Sequence, residues 1–118
     1  RGDMKKFFFA LDLNDDPASI AEYEKIHRRI WPEIEESMFQ AGITQMEIYR
    51  AGDRMFMIME VTDEFSFEKK AKIDRQSPIV QKWEAYMWSF QKALPFAKED
   101  EKWIMMNKIF DLKESTGL

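Results

Sequence analysis

Thr44-Gln45-Met46-Glu47-Ile48-Tyr49-Arg50-Ala51-Gly52-Asp53-Arg54-Met55-Phe56-Met57-Ile58-Met59-Glu60-Val61 is the stretch that decides the fold. It reads as two strands, Thr44 to Arg50 and Met55 to Val61, around a tight turn. A two-residue Gly52-Asp53 loop of the II′ kind sets Ala51 opposite Arg54, because glycine supplies the positive φ that such a turn needs at its first central position. Side chains alternate between the faces of a strand, so every further pair follows. Met46 then stands opposite Met59 and Ile48 opposite Met57 on one face. Tyr49 with Phe56, Glu47 with Ile58 and Gln45 with Glu60 share the other. One face is apolar through its middle, and the other mixes aromatic, aliphatic and carboxylate groups.

Upstream, Lys5 to Leu13 is a further strand, with Phe7, Phe9, Leu11 and Leu13 alternating with Phe8, Ala10 and Asp12. Asp16-Pro17 starts a helix, the carboxylate as N-cap and proline at the first helical position. That helix is expected to run toward Ile30, where Pro32 interrupts it and opens a second, short one ended by Gly42. Downstream, Phe65 to Ile73 reads as a short helix. Pro78 then opens an amphipathic helix whose stripe is Val80, Trp83, Met87, Phe90 and Leu94. After a polar loop at Lys98 to Glu101, a last strand is expected from Trp103 to Leu112, with a frayed tail after Lys113.

Strand, helix, strand, strand, helix, strand is the split pattern of the ferredoxin-like fold, an α+β class with a βαββαβ order. The expectation is a four-stranded antiparallel sheet with both helices on one face. The other face would then be bare although it carries Phe8, Tyr49, Phe56 and Ile58. A second copy of the chain is the simplest cover, giving a homodimer of the dimeric α/β barrel type.

A chain of 118 residues, 45% hydrophobic and 34% charged, suits one soluble globular domain. Residues 4–118 are read as that domain, with Arg1-Gly2-Asp3 standing ahead of a natural start at Met4. The net charge of −4 argues against a nucleic-acid partner, which needs a basic face. No apolar run approaches a membrane span, and nothing near Phe7-Phe8-Phe9 resembles a signal peptide. With no cysteine there is no thiolate nucleophile and no Cys-based zinc site, and a cytoplasmic location fits.

The single histidine, His27, is the group whose charge changes most readily near neutral pH. On a helix it lies about 40° round from Tyr23, with Trp31 a similar step further. One histidine excludes most metal chemistry, and the carboxylates near Asp12, Asp15, Asp16, Glu33, Glu35 and Glu36 have helix-start spacing rather than cation-loop spacing. The glycines are scattered singly, against a phosphate-binding loop. Four tryptophans and nine methionines are many for this length; most belong to a small core, though aromatic faces and methionine walls also suit a sugar. Glu60, at the end of an apolar run, is a solvated hairpin end before it is a general base.

The segment Tyr23-Glu24-Lys25-Ile26-His27-Arg28-Arg29-Ile30-Trp31-Pro32-Glu33 resembles the signature of the L-rhamnose mutarotase family, and Gly42, Ile48-Tyr49, Trp83 and Tyr86-Met87 fall at matching spacings. The resemblance covers the chain from Phe7 to about Met87. It implies a homodimer of ferredoxin-like subunits that needs no cofactor. It further implies that His27 is the proton donor and that Tyr23 and Trp83 contact the sugar. Two positions depart from the family pattern: Glu84 stands where a second tryptophan is usual, and Met46 where a tyrosine is usual. The Met46 position puts the pocket on the Met46/Ile48/Met57/Met59 face and leaves the mixed face for the dimer. Trp31 and Glu33 complete the candidate sugar-binding set, with Glu33 or Glu84 as the second proton-transfer group. The activity so implied is interconversion of the α and β anomers of a 6-deoxyhexose, L-rhamnose first and L-fucose second, by acid/base ring opening and closure. The rival readings are a ferredoxin-like small monooxygenase and a non-catalytic sugar-binding module.

Overall fold

The Gly52-Asp53 turn closes as its residues demand. In the computed structural model, which describes residues 5–116, Gly52 has φ 62°, and among the described residues Asp100 is the only non-glycine with positive φ. Asp53 therefore stays at negative φ, as a type II′ turn requires. β2 (Ile43–Ala51) and β3 (Arg54–Val61) pair antiparallel with Met46 opposite Met59, Ile48 opposite Met57 and Tyr49 opposite Phe56. The register expected from the turn is the register observed, as far as Gln45 opposite Glu60. Beyond it a shift between Ile43 and Gln45 brings Ile43 opposite Val61.

β1 (Lys5–Leu13) lies along the other edge of β3, antiparallel, with Phe9 opposite Met57 and Leu11 opposite Met55. Its odd-numbered residues turn to the helices. Leu11, Leu13, Met55 and Val61 are fully buried there, each such side chain contributing about 1.5–3 kcal/mol through removal from water.

Both helical crossovers are broken by proline. α1 (Pro17–Ile26) and α2 (Pro32–Ala41) meet at Trp31, which takes extended geometry (φ −62°, ψ 134°) as a residue before proline must. Asp16 caps α1 by accepting from Ala18 N at 3.1 Å. Gly42 ends α2 at φ 100°, and a Cβ there would come within 2.9 Å of Thr62 Oγ1. α3 (Phe67–Arg75) and α4 (Pro78–Trp88) are capped by Ser66 and Ser77 through their hydroxyls. Tyr23, Ile34, Val80, Trp83 and Met87 descend from these helices onto Leu11, Leu13 and Met55.

β4 (Gln91–Lys92) and β5 (Ile104–Met105) both lie on the free edge of β1, and α5 (Leu112–Thr116) follows. The sheet order β2-β3-β1-β4 is that of an α+β ferredoxin-like layer. The proposed start at Met4 lies outside the described residues.

Three expectations need correction. The first helix stops at Ile26 rather than near Ile30; His27 caps it, and Arg28 and Arg29 form the tighter turns that lead to Pro32. The last long helix stops at Trp88, so Phe90 and Leu94 follow it rather than continue its stripe. Gln91 is drawn away to pair with Leu13. Finally, the strand expected from Trp103 to Leu112 shrinks to Ile104–Met105, opposite Phe9 and Ala10, because Asp12 and Leu13 are already taken by β4. Leu112 belongs to α5 instead, whose start Asp111 caps by accepting from Glu114 N at 3.2 Å. The fourth strand position is thus filled by two short pieces, and among the described residues the sheet has five strands. Among the described residues no helix is long and apolar enough to cross a membrane.

Candidate active site

A cleft of about 970 Å³ opens between the sheet and the helices, on the Met46/Ile48/Met57/Met59 face. Its floor is that strand face. α1 contributes Tyr23 and its C-cap His27, α4 contributes Trp83, Glu84 and Met87, and Gln91, Lys102 and Trp103 come from the segment between α4 and β5.

Tyr23 and His27 are one helical turn apart, and their rings lie 4.3 Å apart between centroids. The carbonyl of Tyr23 keeps its helical partner, accepting from His27 N at 3.2 Å, and also accepts from His27 Nδ1 at 2.8 Å. With Nδ1–H so engaged, the neutral ring keeps its lone pair on Nε2. Burial holds the imidazole below its ordinary pKa of 6.5, only partly offset by that backbone bond. His27 is therefore neutral at pH 7. Burial pushes Tyr23 up to about 12, while the hydrogen bond from Gln91 lowers it and the Glu84 charge raises it further. Its phenol keeps its proton at any ordinary pH.

Trp83 stands across from this pair, its ring 5.9 Å from His27. Trp31, although off the first helix, still meets the same cluster, edge-on to Trp83 at 5.0 Å and stacked on Tyr86 at 6.0 Å. It supports Trp83 from behind and is not among the cleft-lining residues. Neither is Glu33, exposed on the first turn of α2. Glu84 does line the cleft, with Lys102 Nζ 3.4 Å from its carboxylate and 5.1 Å from the Trp88 ring. Glu60 lies on the opposite sheet face, 3.7 Å from Lys6 Nζ. Thus Tyr23, His27, Met46, Trp83 and Glu84 come together, whereas Trp31 and Glu33 stay outside. Among the described residues no three His, Asp or Glu side chains gather as a metal site.

Sequence reading missed Gln91, whose Nε2 donates to Tyr23 Oη at 3.0 Å, and Lys102. The apolar stripe of the last long helix runs through Gln91 in sequence, although the helix ends before it, and Lys102 belongs to an ordinary charge-rich stretch. No local signal marked either.

Fold and site define a small α+β protein whose aromatic-walled cleft brings a phenol and a neutral imidazole side by side. The L-rhamnose mutarotase family model matches residues 6–112. The chain belongs to that family, and it is an isomerase of the mutarotase class. It is 45% identical over 117 residues to an L-fucose mutarotase from Xanthomonas campestris pv. campestris, covering 98% of this chain and 94% of that one. The crystal structure of an L-rhamnose mutarotase from Formosa agariphila superimposes with a TM-score of 0.67 at 18% identity, over 91% of this chain and 97% of that one. A cofactor-independent oxygenase from Streptomyces nogalater shares the fold at a TM-score of 0.53 and 10% identity, over 93% and 97% of the two chains. The frame alone thus hosts more than one chemistry.

Proposed function

We propose that this protein interconverts the α and β anomers of a free 6-deoxyhexose, with L-fucose ahead of L-rhamnose. The observation that carries the reading is the Tyr23–His27 pair at the wall of the cleft, one group a permanent donor and the other a free base at pH 7. Opening a pyranose needs a proton taken from the anomeric hydroxyl and another supplied at the ring oxygen; closure reverses both. Neutral at rest, His27 Nε2 takes the first proton, and it acts as the proton donor that the resemblance implies when it returns that proton after the aldehyde has turned. Trp83 offers a flat apolar face to the sugar C–H groups, and Glu84 accepts from its hydroxyls. The preference for L-fucose is supported by the likeness to the Xanthomonas protein, and it reverses the order drawn from the sequence resemblance. Saturation-transfer NMR on L-fucose and L-rhamnose tests the proposal. Faster exchange between anomer signals on adding the protein is the expected result. Binding without acceleration would leave a sugar-binding module, and no effect would sink the reading.

Met46 and Glu84 are the proposed selectors. Met46 is an adaptable wall without a donor, whereas Glu84 can take two hydroxyls of one sugar. A site built to pair a given hydroxyl rejects the epimer that leaves its polar groups unpaired. Met46→Tyr combined with Glu84→Trp is expected to change the L-rhamnose to L-fucose rate ratio by at least about tenfold, about 1.4 kcal/mol. An unchanged ratio in a folded double variant would assign the choice to another part of the cleft.

The working form is proposed to be a homodimer in the cytoplasm, without nucleic acid, metal or cofactor. The sheet face away from the helices supports the dimer. Phe8 stacks on Phe56 at 5.9 Å there, beside half-buried Ile58 and exposed Tyr49. Light scattering should give about twice the 14.2 kDa chain mass. Phe56→Glu or Ile58→Glu should shift it toward monomer, since a charge would be desolvated in the interface. A wild-type monomer at micromolar concentration would refute the assignment.

A further inference from the structure

Among the described residues Gln91 is one of two buried polar side chains, with Asp12, and lies 8% exposed on β4 at the back of the cleft. Its Nε2 donates to Tyr23 Oη at 3.0 Å. The direction of that bond matters, because a phenol oxygen that accepts from an amide keeps its own proton for another acceptor. Tyr23 is itself 4% exposed and lines the cleft, so a substrate oxygen is the acceptor within reach.

We infer that Gln91 is a positioning residue: by donating to Tyr23 Oη it turns the phenolic proton into the cleft and makes Tyr23 the acid at the ring oxygen, opposite His27 at the anomeric hydroxyl. This rests on the mutarotase reading above and names the second proton-transfer group of that reaction. The step balances. His27 Nε2 takes the proton of the anomeric O1–H, C1=O1 forms as C1–O5 breaks, and O5 receives the bond pair together with the proton of Tyr23. After rotation about C1–C2 the open chain closes on its other face. O5–H then returns its proton to Tyr23, and His27 returns its own to O1. Enzyme and sugar composition are unchanged.

The surroundings keep the roles apart. Glu24 on α1, Arg28 in the turn after it, Glu84 on α4, Arg50 on β2 and Lys102 ahead of β5 share the cleft with Tyr23; Glu35, Lys70 and Asp74 complete its charged lining. Arg50 is occupied by Glu24, Nε to Oε2 at 2.6 Å, and Lys102 by Glu84. Of these charges Glu84 is the one that bears on Tyr23, and it favours the protonated phenol.

Gln91→Leu and Gln91→Glu test the inference through anomer exchange measured by NMR between pH 5 and 9, with thermal melts as the folding control. Gln91→Leu leaves the phenol free to point its proton elsewhere. The expected result is a loss of roughly 10–100-fold in kcat, the usual scale for a misplaced reacting group, with KM changed far less. In Gln91→Glu the ionised carboxylate accepts the phenolic proton and reverses the bond. Its rate should therefore be low at alkaline pH and recover as pH falls and the carboxyl becomes a donor again. The wild-type rate should fall only on the acid side, where His27 protonates. A merely structural glutamine would lower stability without adding that alkaline-side loss. If Gln91→Leu does not fold, the pH profile of Gln91→Glu decides. Wild-type kcat in folded Gln91→Leu, or a wild-type profile in Gln91→Glu, overturns the inference alone. A wild-type protein that accelerates no deoxyhexose exchange overturns the mutarotase reading and this inference together.

Discussion

Replacing His27 by alanine is expected to slow anomer exchange by about 10²–10⁴-fold while the protein stays folded, the usual worth of a positioned acid/base group. The side chain is half-buried, and the Tyr23 carbonyl it donates to also accepts from the backbone N–H of His27, which alanine keeps. The stability cost should be near that of one net hydrogen bond, about 1 kcal/mol. The rate has no substitute, because within the described structure no second imidazole lines the cleft. His27→Gln is the sharper comparison, since an amide hydrogen-bonds but does not titrate near neutrality.

The pH dependence adds an independent readout of the same group. Burial lowers the folded pKa of His27 below 6.5, so the neutral, reactive form dominates above that value and is lost as pH falls through the lowered pKa. The wild-type rate should be level near neutrality with an acid limb below pH 6.5, and that limb should vanish from the residual rate of His27→Ala. Near-normal exchange in the alanine variant would reduce His27 to a bystander.

Tyr23→Phe is expected to cost about 10²-fold in rate and to destabilise the protein as well. The rate loss is that of removing one donor aimed at developing charge. The stability loss comes from the other end of the same bond. Phenylalanine fills the space of the ring, yet the Gln91 amide is left unpaired in a buried place, which costs about 1–3 kcal/mol. Gln91→Leu with Tyr23→Phe should accordingly melt higher than Tyr23→Phe alone, because removing both polar partners removes the orphan. Calorimetry on the three variants, beside exchange rates, checks both halves. A Tyr23→Phe protein with wild-type exchange would leave the phenol no part in the reaction.

Much of the site was legible because it is written locally. Tyr23 and His27 are neighbours by helical spacing alone, and that stays true although the helix ends at His27 itself. Trp31 was drawn into the set by extending the same helix. It instead reaches the cluster as the residue before Pro32, behind Trp83 rather than at the cleft surface. Glu33 and Glu84 were equal candidates from sequence. Only the packing of α4 against the sheet brings Glu84 to the cleft and leaves Glu33 in solvent.

What the sequence determined by itself are the features whose causes lie within a few residues. The Gly52 turn sets the β2–β3 register and hence the Met46/Ile48/Met57/Met59 face. Pro17, Pro32 and Pro78 set where helices begin, since proline accepts the first helical position and rejects the interior. The tertiary structure decided what happens on the free edge of β1. A long strand and a long helix were each locally acceptable beyond Trp88, but β1 offers one row of backbone donors and acceptors, and those must be paired once buried. Gln91–Lys92 take the part at Asp12 and Leu13, Ile104–Met105 the part at Phe9 and Ala10. That competition ends the helix early and carries Gln91 under the phenol of Tyr23. A contact between residues so far apart in the chain leaves no mark in the spacing of either segment.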